Sequence, residues 1–159
     1  MSMKKYILHF TLLIFAIGCT KEINYLPENL FDYKLVKKLD GEEAKNFVNK
    51  LHFNDVTDLQ NEIAFYQKEN KNITIYITHY SSQEEALTDE IKMTEKISPE
   101  NSVFIAGKYF QVNNKNVYEC FGMGQAHYVF SSNGKLFWIS VDSVTGRDFM
   151  KTYLELIEN

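Results

Sequence analysis

Apolar residues recur along this chain with two different periods, and the changes of period mark its elements. A weak alternation around Leu35 and Val36 predicts a first strand over Tyr33 to Lys38. Asp40 and Glu43 then stand as N-cap and third position of a helix, and Ala44, Phe47, Val48 and Leu51 return at the spacing of one helical face. Ile63 and Phe65, then Ile73, Ile75 and Ile77, alternate in two runs separated by the polar tract Lys68 to Asn72, which predicts a hairpin with a longer loop. Ser82 and Glu85 open a second helix whose apolar stripe is Ala86, Leu87, Ile91 and Thr94, running up to Ile97, with Pro99 closing the segment. Its carboxylates are assigned to the solvated face. Thr145 and Asp148 start a last helix, in which Phe149, Met150, Tyr153, Leu154 and Ile157 form the stripe to be buried.

The densest alternation lies between the last two helices. Runs 108–112, 117–121 and 125–130 are followed by 136–141 across Ser132-Asn133-Gly134-Lys135. Asn-Gly suits a type I′ turn, because both central residues need positive φ. That turn sets Phe130 opposite Phe137, Tyr128 opposite Ile139 and Ala126 opposite Val141. A turn at Met123-Gly124 sets Cys120 opposite His127, and one at Asn114-Lys115 sets Val112 opposite Val117. The predicted fold is α+β: an antiparallel sheet with a C-terminal four-strand meander, packed on one face by about three helices.

The first stretch obeys neither period. Lys4 and Lys5 precede an apolar run from Tyr6 to Ile17, which His9 interrupts and Gly18-Cys19 ends. This is the layout of a secretory signal, and it is shorter than the roughly 20 apolar residues of a membrane span. Ala16-Ile17-Gly18-Cys19 resembles the lipobox of bacterial lipoproteins, with alanine where leucine is commonest. The resemblance covers residues 1–19 only. It implies that residues 1–18 are removed as a signal peptide and that Cys19 becomes the lipidated first residue. Residues 19–30 are then expected to be a tether and residues 31–159 a single domain. The mature domain also has the look of small α+β domains in uncharacterised envelope lipoproteins, a likeness that carries no activity. The localisation implied is the bacterial cell envelope with the domain facing the periplasm. Thr20, in place of the aspartate that retains enteric lipoproteins at the inner membrane, favours the outer one.

Charge and cysteine count narrow the function. Loss of Lys4 and Lys5 leaves 15 basic against 21 acidic residues, a formal charge of −6. An acidic domain with one arginine, Arg147, excludes nucleic acid as a partner, since that binding needs clustered Lys and Arg. Lipidation of Cys19 leaves Cys120 alone, so the domain has no internal disulfide. No catalytic motif appears: there is no nucleophile elbow, phosphate loop, zinc-protease helix or dinucleotide fingerprint, and Gly122-Met123-Gly124 is turn chemistry. The protein is therefore expected to be no enzyme, to need no cofactor, and to act as a binding or interaction module for an envelope protein or a small apolar ligand.

Two constellations remain. The predicted register gathers Tyr109, Tyr118, Cys120, His127, Val129 and Trp138 on the second face of the meander, a candidate binding face or else a small second core closed by loop 98–106. Within it Cys120, Met123 and His127 are a set suited to copper or haem iron, which would make the protein a soft-metal or cofactor carrier; the other reading of the set is a buried thiol, a turn methionine and a histidine hydrogen-bonded to Ser140. Glu119 alternates onto the apolar face, where a carboxylate must find a partner such as Arg147, become protonated, or escape through a bulge.

Overall fold

The computed structural model describes residues 23–52, 58–97 and 103–158, apart from the side chains of residues 51 and 52. The signal segment, Cys19 and Pro99 lie outside them. Among the described residues eight strands form one antiparallel sheet: β1 (Asn29–Leu30), β2 (Tyr33–Asp40), β3 (Asn61–Lys68), β4 (Lys71–His79), β5 (Ile105–Val112), β6 (Lys115–Gly122), β7 (Gln125–Ser132) and β8 (Lys135–Asp142). Three helices are added, α1 (Gly41–His52), α2 (Gln83–Lys96) and α3 (Gly146–Glu158). The strand order is β1-β2-β3-β4-β8-β7-β6-β5, so the expected C-terminal meander is one half of the sheet and joins the first half through β4 and β8. Among the described residues no helix is long and apolar enough to cross a membrane.

The turns hold the register. Asn133-Gly134 and Met123-Gly124 both adopt positive φ, and the pairs Phe130–Phe137, Tyr128–Ile139, Ala126–Val141 and Cys120–His127 form as expected. At the β5–β6 end the turn is Asn113-Asn114, one residue earlier than expected, because both asparagines take the left-handed conformation. Phe110 rather than Val112 therefore faces Val117. The pairing moves by two positions, so each side chain stays on its expected face. The β3–β4 connection is tighter than expected: Lys68 pairs with Lys71, with Glu69 at positive φ.

The helices divide between the two faces of the sheet instead of sharing one. On the first face, α3 buries Phe149, Met150, Tyr153, Leu154 and Ile157 against Ile73, Ile75, Ile77, Tyr128, Phe130, Phe137 and Ile139. The second face is closed in two parts. Phe47 and Val48 of α1 pack near Ile63, Phe65 and Tyr76, while Met93 and Ile97 of α2 pack with Tyr118, Cys120, Val129, Leu136 and Trp138. The second cover is needed because alternation leaves apolar side chains on both faces of β3, β6, β7 and β8.

The expected tether is also partly folded. Leu26 and Leu30 are buried in the α3-side core, Tyr66 donates a hydrogen bond to the Pro27 carbonyl at 3.0 Å, and Tyr153 donates to that of Tyr25 at 3.0 Å. Among the described residues folded contacts reach back to Ile23, beyond the boundary expected at residue 31, because the apolar positions at 23, 25, 26 and 30 cap one end of that core.

Candidate ligand-binding cleft

The face assembled from Tyr109, Tyr118, Cys120, His127, Val129 and Trp138 exists, and most of it is closed. Tyr118, Cys120, His127 and Val129 are buried, Trp138 is half-buried, and Tyr109 alone is exposed. Phe104 covers the centre, with its ring 4.9 Å from that of His127 and 5.4 Å from that of Trp138, both edge-on. This is the second core that loop 98–106 was one candidate to close.

The soft-metal set is not assembled as a site. The indole Nε1–H of Trp138 donates to Nδ1 of His127 at 3.1 Å, so the ring proton sits on Nε2, which donates to the Gly122 carbonyl at 3.0 Å. Ser140 Oγ lies 3.1 Å from the same Nδ1. Both imidazole nitrogens are thereby engaged, and burial holds the ring below its ordinary pKa, in the neutral form. Burial pushes the Cys120 thiol up to about 11, away from the thiolate a metal needs. Met123 stands at the exposed hairpin tip. Among the described residues no group of three or more His, Cys, Asp and Glu side chains is arranged for a metal ion.

Glu119 stays on the apolar α3 face, 1 % exposed; the bulge beside it lies on β5, between Ile105 and Lys108, the partner of Glu119, and leaves β6 itself regular. Arg147, at the start of α3, donates from Nε to Oε1 at 2.9 Å and from Nη2 to Oε2 at 2.5 Å, and Tyr128 donates to Oε1 at 3.0 Å. The guanidinium also lies 4.8 Å over the Phe110 ring. These donors, Arg147 first, hold the Glu119 carboxyl below its ordinary range. Its neighbour Gly146 has a packing role: a Cβ there would stand 2.5 Å from the Tyr128 hydroxyl.

A second buried carboxylate, Glu90 of α2, lies on the other side of the sheet at 3 % exposure. The sequence reading put the helix carboxylates in solvent and the apolar stripe on Ala86, Leu87, Ile91 and Thr94. The helix is turned away from that expectation. At 3.6 residues per turn Glu90 falls between Ala86, Met93, Thr94 and Ile97, and these positions face the sheet. Leu87 and Ile91 move to the flank, where each is 46 % exposed. Taking Met93 into the stripe beside Ile97 was the signal that would have located Glu90, since 86, 90, 93 and 97 form one helical seam.

Under α2 a polar chain runs through the protein. Gln83 accepts from the Gly134 amide at 2.9 Å and donates to Ser131 Oγ at 3.0 Å, which fixes the helix start on the β7–β8 turn. The Ser131 hydroxyl and amide then donate to the Glu90 carboxylate, and the Tyr109 hydroxyl lies beside it. Tyr109 Oη is 3.0 Å from Thr94 Oγ1, which lies 3.0 Å from the Ile91 carbonyl. Burial outweighs these bonds and holds the Glu90 carboxyl above its ordinary value.

Beside this network, between α2 and the β5–β6 hairpin, lies an open cleft of about 610 Å³. Leu87, Ile91 and Tyr109 supply its apolar lining, and Glu90, Thr94, Lys115 and Ser131 are among its polar groups. A few polar groups at fixed positions among apolar ones, in a volume of several hundred Å³, are the makings of a small-molecule site. Tyr109 is the single member of the predicted binding face that belongs to the cleft. Comparison with protein-family models, curated proteins and solved structures gives no match for this chain.

Proposed function

We propose that this protein is a lipid-anchored lipoprotein of the bacterial cell envelope whose acidic α+β domain is a non-enzymatic binding module, with the α2/β5–β6 cleft as its recognition site. The observation that carries the reading is the rotation of α2, which leaves Leu87 and Ile91 beside Tyr109 at the mouth of the cleft and a carboxylate in its wall. Ordinary packing of an amphipathic helix would do the reverse, since burying Leu87 or Ile91 fully is worth about 1.5–3 kcal/mol each and burying a carboxylate is a cost. The anchor rests on Lys4 to Cys19 and on the lipobox resemblance. Ile23 already packs against the core, so the three residues between it and Cys19, Thr20 to Glu22, can span at most about 11 Å whatever their conformation. The domain is therefore held close to the bilayer, with the outer membrane favoured.

Two measurements test the two halves. Mass spectrometry of the mature protein from membranes is expected to give an acylated Cys19 at the N-terminus, with Cys19→Ala releasing the domain; an unacylated start removes the anchor. NMR screening of the domain with small amphipathic fragments is expected to shift Leu87, Ile91 and Tyr109 saturably. Shifts spread evenly over the exposed Val103, Ile105 and Val144 as well would remove the cleft.

A further inference from the structure

We infer that the cleft takes a small organic cation, an amine carried on a short apolar body, with Glu90 as the group that recognises the charge. The inference rests on the cleft reading above and adds the ligand's chemistry to it.

Three features of the wall converge on a cation. An ionised carboxylate offers about four acceptor positions, and two protein donors, both on Ser131, serve Glu90, so room is left for a further strong donor. Neither donor is charged: they are the Ser131 hydroxyl and the Ser131 amide. The nearest cation is Lys115, and its ammonium is engaged elsewhere, 3.0 Å from Ser132 Oγ and 3.2 Å from Glu158 Oε1. The charged side chains lining the cleft are Glu90 and Glu95 of α2, Lys115 of β6 and Glu158 of α3, so acidic groups outnumber basic ones three to one. An anion would meet repulsion there, and a neutral apolar molecule would leave the Glu90 charge without a counter-ion.

The polar chain beneath the helix gives Glu90 a fixed orientation. Gln83 donates to Ser131 Oγ, which leaves the Ser131 hydroxyl proton free to point at Glu90, and Tyr109 is steadied by Thr94. Leu87 and Ile91 lie one turn apart on the flank, and they offer an apolar strip for a chain of a few carbons beside the charge. Burial holds the Glu90 carboxyl above its ordinary value, and a bound cation favours its ionised form. Affinity then falls as pH drops through the range where Glu90 becomes protonated. The other titratable groups facing this position are Tyr109, Glu95, Lys115 and Glu158.

The test compares n-hexylammonium, 1-hexanol and hexanoate, which share one apolar chain, by NMR titration of the folded domain at neutral pH. Hexylammonium is expected to bind saturably at Leu87, Ile91 and Tyr109, at least tenfold more tightly than hexanol, with hexanoate weakest. Glu90→Gln, whose fold is checked by its amide spectrum, is expected to lose about tenfold for the amine and nothing for the alcohol. Leu87→Ser is expected to weaken both. Hexanol binding as tightly as the amine, hexanoate binding most tightly, or an unchanged amine affinity in Glu90→Gln would overturn the inference while leaving a cleft for neutral or anionic ligands. Failure of all three probes to bind would remove the cleft reading as well.

Discussion

Among the described residues one buried glutamate lies against each face of the sheet, and the two are solved in opposite ways. Glu119 on the α3 side meets a guanidinium that binds both of its oxygens, and its carboxyl is held below the ordinary value. Glu90 on the α2 side meets the hydroxyl and the amide of Ser131, and burial holds its carboxyl above that value. Each is nearly inaccessible, so exposure alone does not distinguish them. What distinguishes them is the charge of the nearest donor. A carboxylate with its cation supplied by the protein is a structural pin, here tying α3 to β6 and β7. A carboxylate ordered by neutral donors at the wall of an open cleft is a place where the missing cation can come from outside.

The comparison breaks first at the pin. Arg147→Ala leaves Glu119 buried with Tyr128 alone, and is expected to destabilise the domain by roughly 2–3 kcal/mol in urea unfolding. That is below the range for a fully enclosed pair, because the outer side of Arg147 is open to water. A loss under about 0.5 kcal/mol would show that Glu119 is not held by that charge. Gly146→Ala acts through packing: its Cβ would displace the Tyr128 hydroxyl, at an expected cost of about 1–3 kcal/mol. Unchanged stability there would mean that Tyr128 yields freely and contributes little to the pin.

Glu90→Gln is the smallest change and the sharpest contrast. Stability at neutral pH is expected to stay within about 1 kcal/mol of the parent, since the amide keeps the shape and sheds a buried charge. The two glutamates also bend the pH dependence in opposite directions. Glu119, with a lowered pKa in the fold, stabilises fully above the ordinary value of 4.5, and that contribution is lost as pH falls through its folded pKa. Glu90, with a raised pKa, costs nothing below 4.5; its cost grows as pH rises from there through its folded pKa. Glu90→Gln is therefore expected to gain on the parent as pH rises above 4.5, whereas Arg147→Ala loses most in the same range. Parallel urea midpoints for Glu90→Gln and the parent from pH 4 to pH 8 would contradict the difference.

Sequence pattern reached the pin and missed the cleft, for a physical reason. A strand reports its faces with a period of two, so β6 announces Glu119 as the exception between Val117 and Phe121, and the lone arginine identifies a partner for it. The same regularity delivers the pairing of Cys120 with His127 and the common face of Tyr118, Val129 and Trp138. It does not say what lies over that face. Cover comes from α2 and Phe104, far from β6 to β8 in sequence, so open and closed readings look alike until the helix is docked. A helix reports its buried stripe less sharply. Leu87 and Ile91 pull the assignment one way, while Ala86, Met93 and Ile97 pull it another, and the small residues Ala86 and Thr94 let the backbone approach the sheet on the Glu90 side. The tether was misjudged similarly: Leu26 and Leu30 carry no period of their own, and only the α3-side core gives them a place.

Carboxyl-resolved NMR of the folded domain tests the account directly, because it observes both glutamates in one titration. Glu119 is expected to titrate below the ordinary 4.5 and Glu90 above it, with hexylammonium lowering the Glu90 value and leaving that of Glu119 in place. A Glu90 that titrates with the exposed glutamates, or that ignores the amine, would contradict the account.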